Sequence, residues 1–293
     1  MLLHQISSRT GFVKTRHGQT WVKVVGRDLT ERTPAIFLHG GPGFPHDYFE
    51  LLEPLSEGRT LVFYDQVGCG RSSRPTDKSV YTLETYVEEL EAVRTALGIS
   101  SFHLVGSSWG TMLGMDYYLA HPERVSSIVF QSPCLSARDW GSDAAKLCQQ
   151  MGPEWNALVL KYEAEGTTAS TDYTQAKKEF SDRFVCRISP TPLPIERSKL
   201  GFGTDTYMYM WGPSEFTPVG TLKDYDRTPQ LPTIKVPTLF LCGRHDEATP
   251  ETVARHAALV PGATLEIFED CAHAILVENP QGVMTSLRRF WEF

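Results

Sequence analysis

The sequence predicts an α/β fold, a mostly parallel sheet flanked by helices and interrupted by a mainly helical inserted cap. Three observations carry this expectation. Short runs rich in β-branched and aromatic residues recur along the chain, amphipathic helical patterns lie between them, and the alternation lapses over residues 135–231 before it resumes. The 293 residues are 41% hydrophobic and 22% charged, enough apolar material for one sizeable core carrying an insert.

In chain order the predicted strands are TWVKVV from Thr20, AIFLH from Ala35, TLVFYD from Thr60, FHLV from Phe102, VSSIVFQS from Val125, TLFLCG from Thr238 and TLEIFED from Thr264. Several are apolar almost throughout, as strands of a parallel sheet covered on both faces are. In TLETYVEELEAVRTALG, residues Leu83, Tyr86, Val87, Leu90, Val93 and Leu97 recur every three or four positions, which predicts a helix capped by Thr82 and stopped at Gly98. Met112, Met115, Tyr118 and Leu119 have near-helical spacing after Trp109. Asn279 and Pro280 open a last helix that carries Val283, Met284, Leu287, Phe290 and Trp291.

These elements divide the chain into a core, residues 1–134 and 232–293, and a helical cap, residues 135–231. The cap is richer in aromatics, charges and prolines and holds no strand of the buried type. Inserted at the carboxyl ends of strands, it covers the crevice where α/β sheets bind ligands. Pattern alone assigns no position to its aromatics, among them Trp140, Tyr207 and Trp211, and none of these signals bears on oligomeric state.

A net charge of −7 without a lysine- and arginine-rich run argues against a nucleic-acid partner and suits a small neutral or cationic ligand. The six cysteines, Cys69, Cys134, Cys148, Cys186, Cys242 and Cys271, lack paired spacing, so neither disulfides nor a metal site is expected, and reduced thiols fit a cytoplasmic protein. No secretory start and no apolar run of about 18 residues is visible, so no membrane association is expected.

The chemistry starts at FHLVGSSWGTMLGMDYYLAHP, where Gly106, Ser107, Ser108, Trp109 and Gly110 follow a strand and precede a helix. In G-x-S-x-G the two glycines let strand and helix approach closely, and the central serine sits exposed on a strained turn. That register selects Ser108 over Ser107. A serine nucleophile needs a base, the base an orienting carboxylate, and the oxyanion fixed N–H donors. Asp246 follows the strand at Thr238 and His273 follows the strand at Thr264, giving the order serine, aspartate, histidine expected for this elbow. Asp270 is a rival carboxylate and His245 a rival base. In LHGGPGFPHDY, Pro42 has no N–H, which makes Gly41 the expected oxyanion donor, joined by the N–H of Trp109. The loop lacks the G-x-x-x-x-G-K-[ST] pattern that cradles nucleotide phosphates. YDQVGCGR, Tyr64 to Arg71, is expected to shape a loop beneath the site, with Cys69 packed and no chemical role assigned.

LHGGPGFPHDYFELLEPL, LVFYDQVGCGRSSRP, LVGSSWGT, MWGPSEFTPVGTLKDYD, GRHDEATP and FEDCAHAILVENP together resemble the proline iminopeptidase family of α/β-hydrolases, and within it the tricorn-interacting aminopeptidases and related amino-acid amidases. The resemblance spans nearly the whole chain and is weakest between Leu135 and Lys199. It implies Ser108, Asp246 and His273 as triad, with Gly41 and Trp109 as oxyanion donors. It further implies that Glu215 and Glu247, in the motifs matching GPSEF and DEATP, bind a substrate's free α-ammonium. Adjacent in sequence, Asp246 and Glu247 are expected to diverge, one toward His273 and the other toward substrate.

The implied activity is that of a serine aminopeptidase without cofactor or metal, releasing an N-terminal proline or small hydrophobic residue from short peptides through an acyl-enzyme. An amidase acting on amino-acid amides would use the same residues. An esterase or lactonase would have no need of Glu215 and Glu247, and a ligand receptor on this fold would lack turnover.

Overall fold

The computed structural model describes residues 7–26 and 32–292. Eight strands form one sheet: β1 (Ser8–Thr15), β2 (Gly18–Val25), β3 (Ala35–Leu38), β4 (Leu61–Tyr64), β5 (Phe102–Ser107), β6 (Val125–Gln131), β7 (Thr238–Gly243) and β8 (Thr264–Phe268). Their spatial order is β1-β2-β4-β3-β5-β6-β7-β8. Strand β2 is antiparallel to β1 and β4, and the remaining pairings are parallel.

The apolar runs are buried because both faces are covered. Along β3 and β4, Ile36, Leu38, Val62 and Tyr64 join one apolar cluster, while Ala35, Phe37, Leu61 and Phe63 join the other, as a period of two requires. The first cluster includes Tyr86, Leu90 and Val93 of α1 (Leu83–Ala96) and Met112, Leu113 and Met115 of α2 (Trp109–Ala120). The second includes Phe49, Leu52 and Leu55 from the 3-10 segment His46–Glu57. The Thr82 hydroxyl accepts from Thr85 N at 3.2 Å and caps α1.

Between β6 and β7 lie α3 (Ala137–Met151), α4 (Pro153–Ala164), α5 (Thr171–Phe180), a π-helical turn (Ser181–Val185), α6 (Leu193–Leu200) and α7 (Thr204–Met210). They have an apolar cluster of their own, centred on Leu147, Val159, Tyr173, Phe180 and Phe216. After β7 come α8 (Pro250–Leu259), α9 (Ile275–Glu278) and α10 (Pro280–Trp291), the last capped by Asn279, whose side chain accepts from Gly282 N at 2.9 Å.

Strand β1 is an addition to the expected elements. Its residues are mostly exposed, so it carries no buried apolar run, and its continuous antiparallel ladder with β2 holds it in the sheet. Among the described residues no helix is long and apolar enough to cross a membrane. All six cysteines are unpaired, and Cys69 is fully buried.

Candidate active site

Strand β5 delivers Ser108 to the mouth of a large cavity. Gly106 and Gly110 permit the turn: a Cβ on Gly106 would lie 2.5 Å from Gly110 O, and one on Gly110 would lie 2.1 Å from Leu38 O. Ser108 itself has φ +54°, in the left-handed region that a non-glycine residue rarely adopts. Its N–H donates to Gln131 O at 3.0 Å, and its hydroxyl takes no part in capping α2. Ser107 lines the same cavity but is buried, and its hydroxyl accepts from Gln131 Nε2 at 3.1 Å.

Ser108, Gly41, Glu215, Glu247 and His273 line one cavity of about 1000 Å³. His273 Nδ1 lies 2.7 Å from Asp246 Oδ1. The Asp246 carboxylate also accepts from Ala248 N at 2.8 Å and Gly243 N at 3.3 Å, so the turn after β7 fixes its orientation. His245 and Asp270 are exposed and lie outside this lining.

Gly41 lines this cavity, and Trp109 lies with Gly41 and Ser108 around a small neighbouring void. Gly41 has φ +111°, and a Cβ there would lie 2.4 Å from Gly43 N, a conformation open to glycine. The preceding N–H, of Gly40, is committed to Tyr48 Oη at 2.9 Å. Trp109 is the first residue of α2, so its N–H is among those that helix geometry leaves without an intrahelical acceptor.

Gln66 reinforces this arrangement, and no role was expected of it. Its side chain accepts from Trp109 Nε1 at 2.7 Å and donates to His39 O at 3.1 Å, while its own N–H donates to His39 Nε2 at 2.9 Å. The loop after β4 thereby ties the glycine loop to the elbow. Nearby, Asp65 accepts from His46 Nδ1 at 2.6 Å and from Arg71 N at 2.8 Å, and Arg71 Nη2 pairs with Asp47 at 3.1 Å. The Arg71 guanidinium supplies positive charge where these acidic groups converge.

Glu215 comes from the segment between β6 and β7, and Glu247 from the turn after β7. Tyr207 of α7 donates to Glu215 Oε1 at 2.6 Å, and Trp140 of α3 donates to Glu215 O at 2.9 Å. The Trp140 ring stands edge-on to His273, with centroids 5.6 Å apart, and to Trp211, at 5.8 Å. Glu247 diverges from Asp246 less than expected: its Oε1 lies 3.8 Å from His273 Nδ1, while its Oε2 is buried without a hydrogen-bond partner. Burial pushes both carboxyls above the usual carboxylate range, Glu247 far above it because the charges of Glu215 and Asp246 add to the effect. Burial pulls the His273 imidazole down, but the charge and hydrogen bond of Asp246, helped by Glu215 and Glu278, outweigh it and hold His273 above its ordinary 6.5.

The π-helical turn touches both loops at once. Phe184 O accepts from Glu247 N at 3.2 Å and from His273 N at 3.1 Å, and Val185 O accepts from Ala274 N at 2.7 Å. On the other side the Ser132 hydroxyl donates to His273 O at 2.9 Å.

Residues 33–280 match the family model described as alpha/beta hydrolase fold. The chain is 40% identical over 259 residues to a proline iminopeptidase of Heyndrickxia coagulans, covering 88% of this chain and 90% of that one. Its fold is similar to the crystal structure of a proline iminopeptidase from Mycobacterium smegmatis, with TM-score 0.88 and 36% identity over 98% of each chain. It is similar also to VinJ, with TM-score 0.92 and 35% identity over 98% of this chain and 99% of that one. On this similarity the chain belongs to the proline iminopeptidase family of α/β-hydrolases.

Proposed function

We propose that the protein is a serine aminopeptidase that releases an N-terminal proline or small hydrophobic residue from short peptides. Ser108 attacks the carbonyl while His273, oriented by Asp246, takes its proton, and the N–H groups of Gly41 and Trp109 hold the oxyanion. His273 then protonates the departing amine, and water releases the acyl group. Residues 135–231 act as a cap over this site, and the protein works in the cytoplasm, where its unpaired cysteines stay reduced.

The observation that carries the reading is the Glu215 and Glu247 pair. Two buried carboxylates of raised pKa, one with an unpartnered oxygen, face the cavity that also holds Ser108 and His273. Such a pair is poorly stabilised until a cation arrives, and a substrate α-ammonium supplies that charge with three donors. An ester substrate without an amine leaves the pair uncompensated.

The test is a panel of fluorogenic aminoacyl amides, short peptides, N-acetylated counterparts and simple esters, compared by kcat/KM. Free-amine substrates are expected to lead, with prolyl peptides among the best. Leading simple esters would overturn the aminopeptidase reading, and amino-acid amides cleaved in preference to every peptide would make the protein an amidase.

The pH profile separates the groups involved. A general base must be neutral, so kcat/KM rises with pH through a midpoint above 6.5, the direction of the His273 shift. Ionisation of Glu215 and Glu247 steepens this limb for free-amine substrates. On the alkaline side those substrates lose their ammonium near pH 8, giving a bell-shaped curve, since α-amino groups titrate at about 7.7–8.0. N-acetylated substrates are expected to show the ascending limb alone, and an alkaline fall for them as well would remove the ammonium from the explanation.

A further inference from the structure

We propose that the leaving-group side of the cavity is built for an extended apolar amine component, so that the preferred substrates carry the aminoacyl residue on an apolar amine rather than on a short polar peptide. This rests on the free-amine reading above. With the ammonium at Glu215 and Glu247 and the scissile carbonyl at Ser108, the departing nitrogen lies beside the group that protonates it, His273. The rest of the leaving group extends along the walls adjoining that residue.

Those walls are rich in apolar side chains, with Ser181, Ser189 and Thr191 set among them. Ala274, Leu276 and Val277 continue the chain from His273, and Val185 and Ile188 face the same cavity from the insert, joined to them by the bond between Ala274 N and Val185 O. Ile195, Phe202 and Met208 line the same cavity. Ile188 and Met208 are 37% and 48% exposed, large apolar side chains held open to water at the mouth of a site. The volume of about 1000 Å³ reaches the upper end of the roughly 300–1,000 Å³ range for drug-sized ligands, well beyond what a dipeptide fills.

Charges at the rim do not assemble an obvious receptor for a peptide carboxylate. Lys178 is paired with Asp182, and Lys199 pairs with Glu196 at 2.8 Å. Lys177 donates to Pro213 O at 3.4 Å and lies over the Tyr173 ring. Arg187, exposed on the rim, has no ion pair among the described residues and is the remaining candidate to meet a carboxylate.

The experiment is a series of prolyl n-alkylamides from butyl to decyl, in which leaving-group basicity is constant and length alone varies. Burial of each added methylene is expected to raise kcat/KM by up to about fourfold until the cavity is filled. Ile188→Asp and Met208→Asp, at positions exposed enough for the fold to survive, are expected to flatten that rise, with circular dichroism confirming the fold. Prolyl-leucyl-leucine, as free acid and as C-terminal amide, distinguishes an apolar peptide from an alkyl chain as the source of the contacts. The amide is expected to match or exceed the acid. A flat alkyl series with an intact preference for free over N-acetylated amines overturns this inference and leaves the aminopeptidase reading standing. A tenfold advantage of the acid overturns it in favour of a peptide carboxylate at Arg187, and no hydrolysis of any free-amine substrate at any length overturns both readings.

Discussion

Ser108→Ala and His273→Ala are each expected to lower kcat by about a millionfold, and the double variant to be little worse than either, because nucleophile and base act as one unit. The residual rate reflects binding and the two backbone donors alone. Ser107→Ala is the control, since the Ser107 hydroxyl is buried and bonded to Gln131 Nε2, while Ser108 stands at the strained turn with φ +54°. It is expected to keep most of the activity. A serine-directed phosphonate followed by peptide mass mapping reads the same question chemically, and labelling at Ser107 would contradict the assignment. Losses that multiply in the double variant would mean that His273 serves folding or binding instead.

Glu215→Gln and Glu247→Gln are expected to lower kcat/KM for free-amine substrates by roughly thirtyfold or more, corresponding to the lower end of the about 2–5 kcal/mol that loss of one side of a buried charge pair costs. For N-acetylated substrates the same changes remove a buried acid that has no cation to meet and are expected to leave the poor rate unchanged or to improve it. The ratio of free to blocked substrate is therefore the quantity to measure, because damage to folding or to the triad cancels from it. Glu247→Gln is expected to show the larger effect: Glu215 retains the Tyr207 hydroxyl as partner, whereas Glu247 Oε2 has none. An unchanged ratio in both variants would place the ammonium elsewhere and favour an esterase.

Much of the architecture is legible in the sequence because burial writes a local pattern. The apolar run predicts a strand at Thr238 to Gly243, and β7 occupies those residues, all of them buried. The helix α1 starts and stops where Thr82 and Gly98 predict, within the fraying of its last turn. Strand β1 is not legible, because an exposed edge strand is held by its ladder and needs no apolar periodicity. The elbow announces Ser108 through glycines whose spacing reflects steric necessity. Trp140, Tyr207 and Gln66 carry no such mark. Trp140 reaches the Glu215 carbonyl across 75 positions, and Gln66 reaches Trp109 across 43, contacts that depend on the folded path between them.

The doubly bonded carbonyl of Phe184 constrains how this architecture can be rebuilt. Exchanging residues 135–231 for the corresponding segment of a relative looks modular, since the exchange begins and ends outside the strands that lead to Ser108 and His273. Yet one oxygen within that segment anchors the main chain at both His273 and Glu247, so a transplant that shifts it by about an ångström deprives two N–H groups of their acceptor at once. Compatibility between donor and recipient is thus decided by a peptide group, independent of which side chain stands at position 184. A chimaera chosen by side-chain similarity alone can inherit every residue of the pocket and still misplace His273.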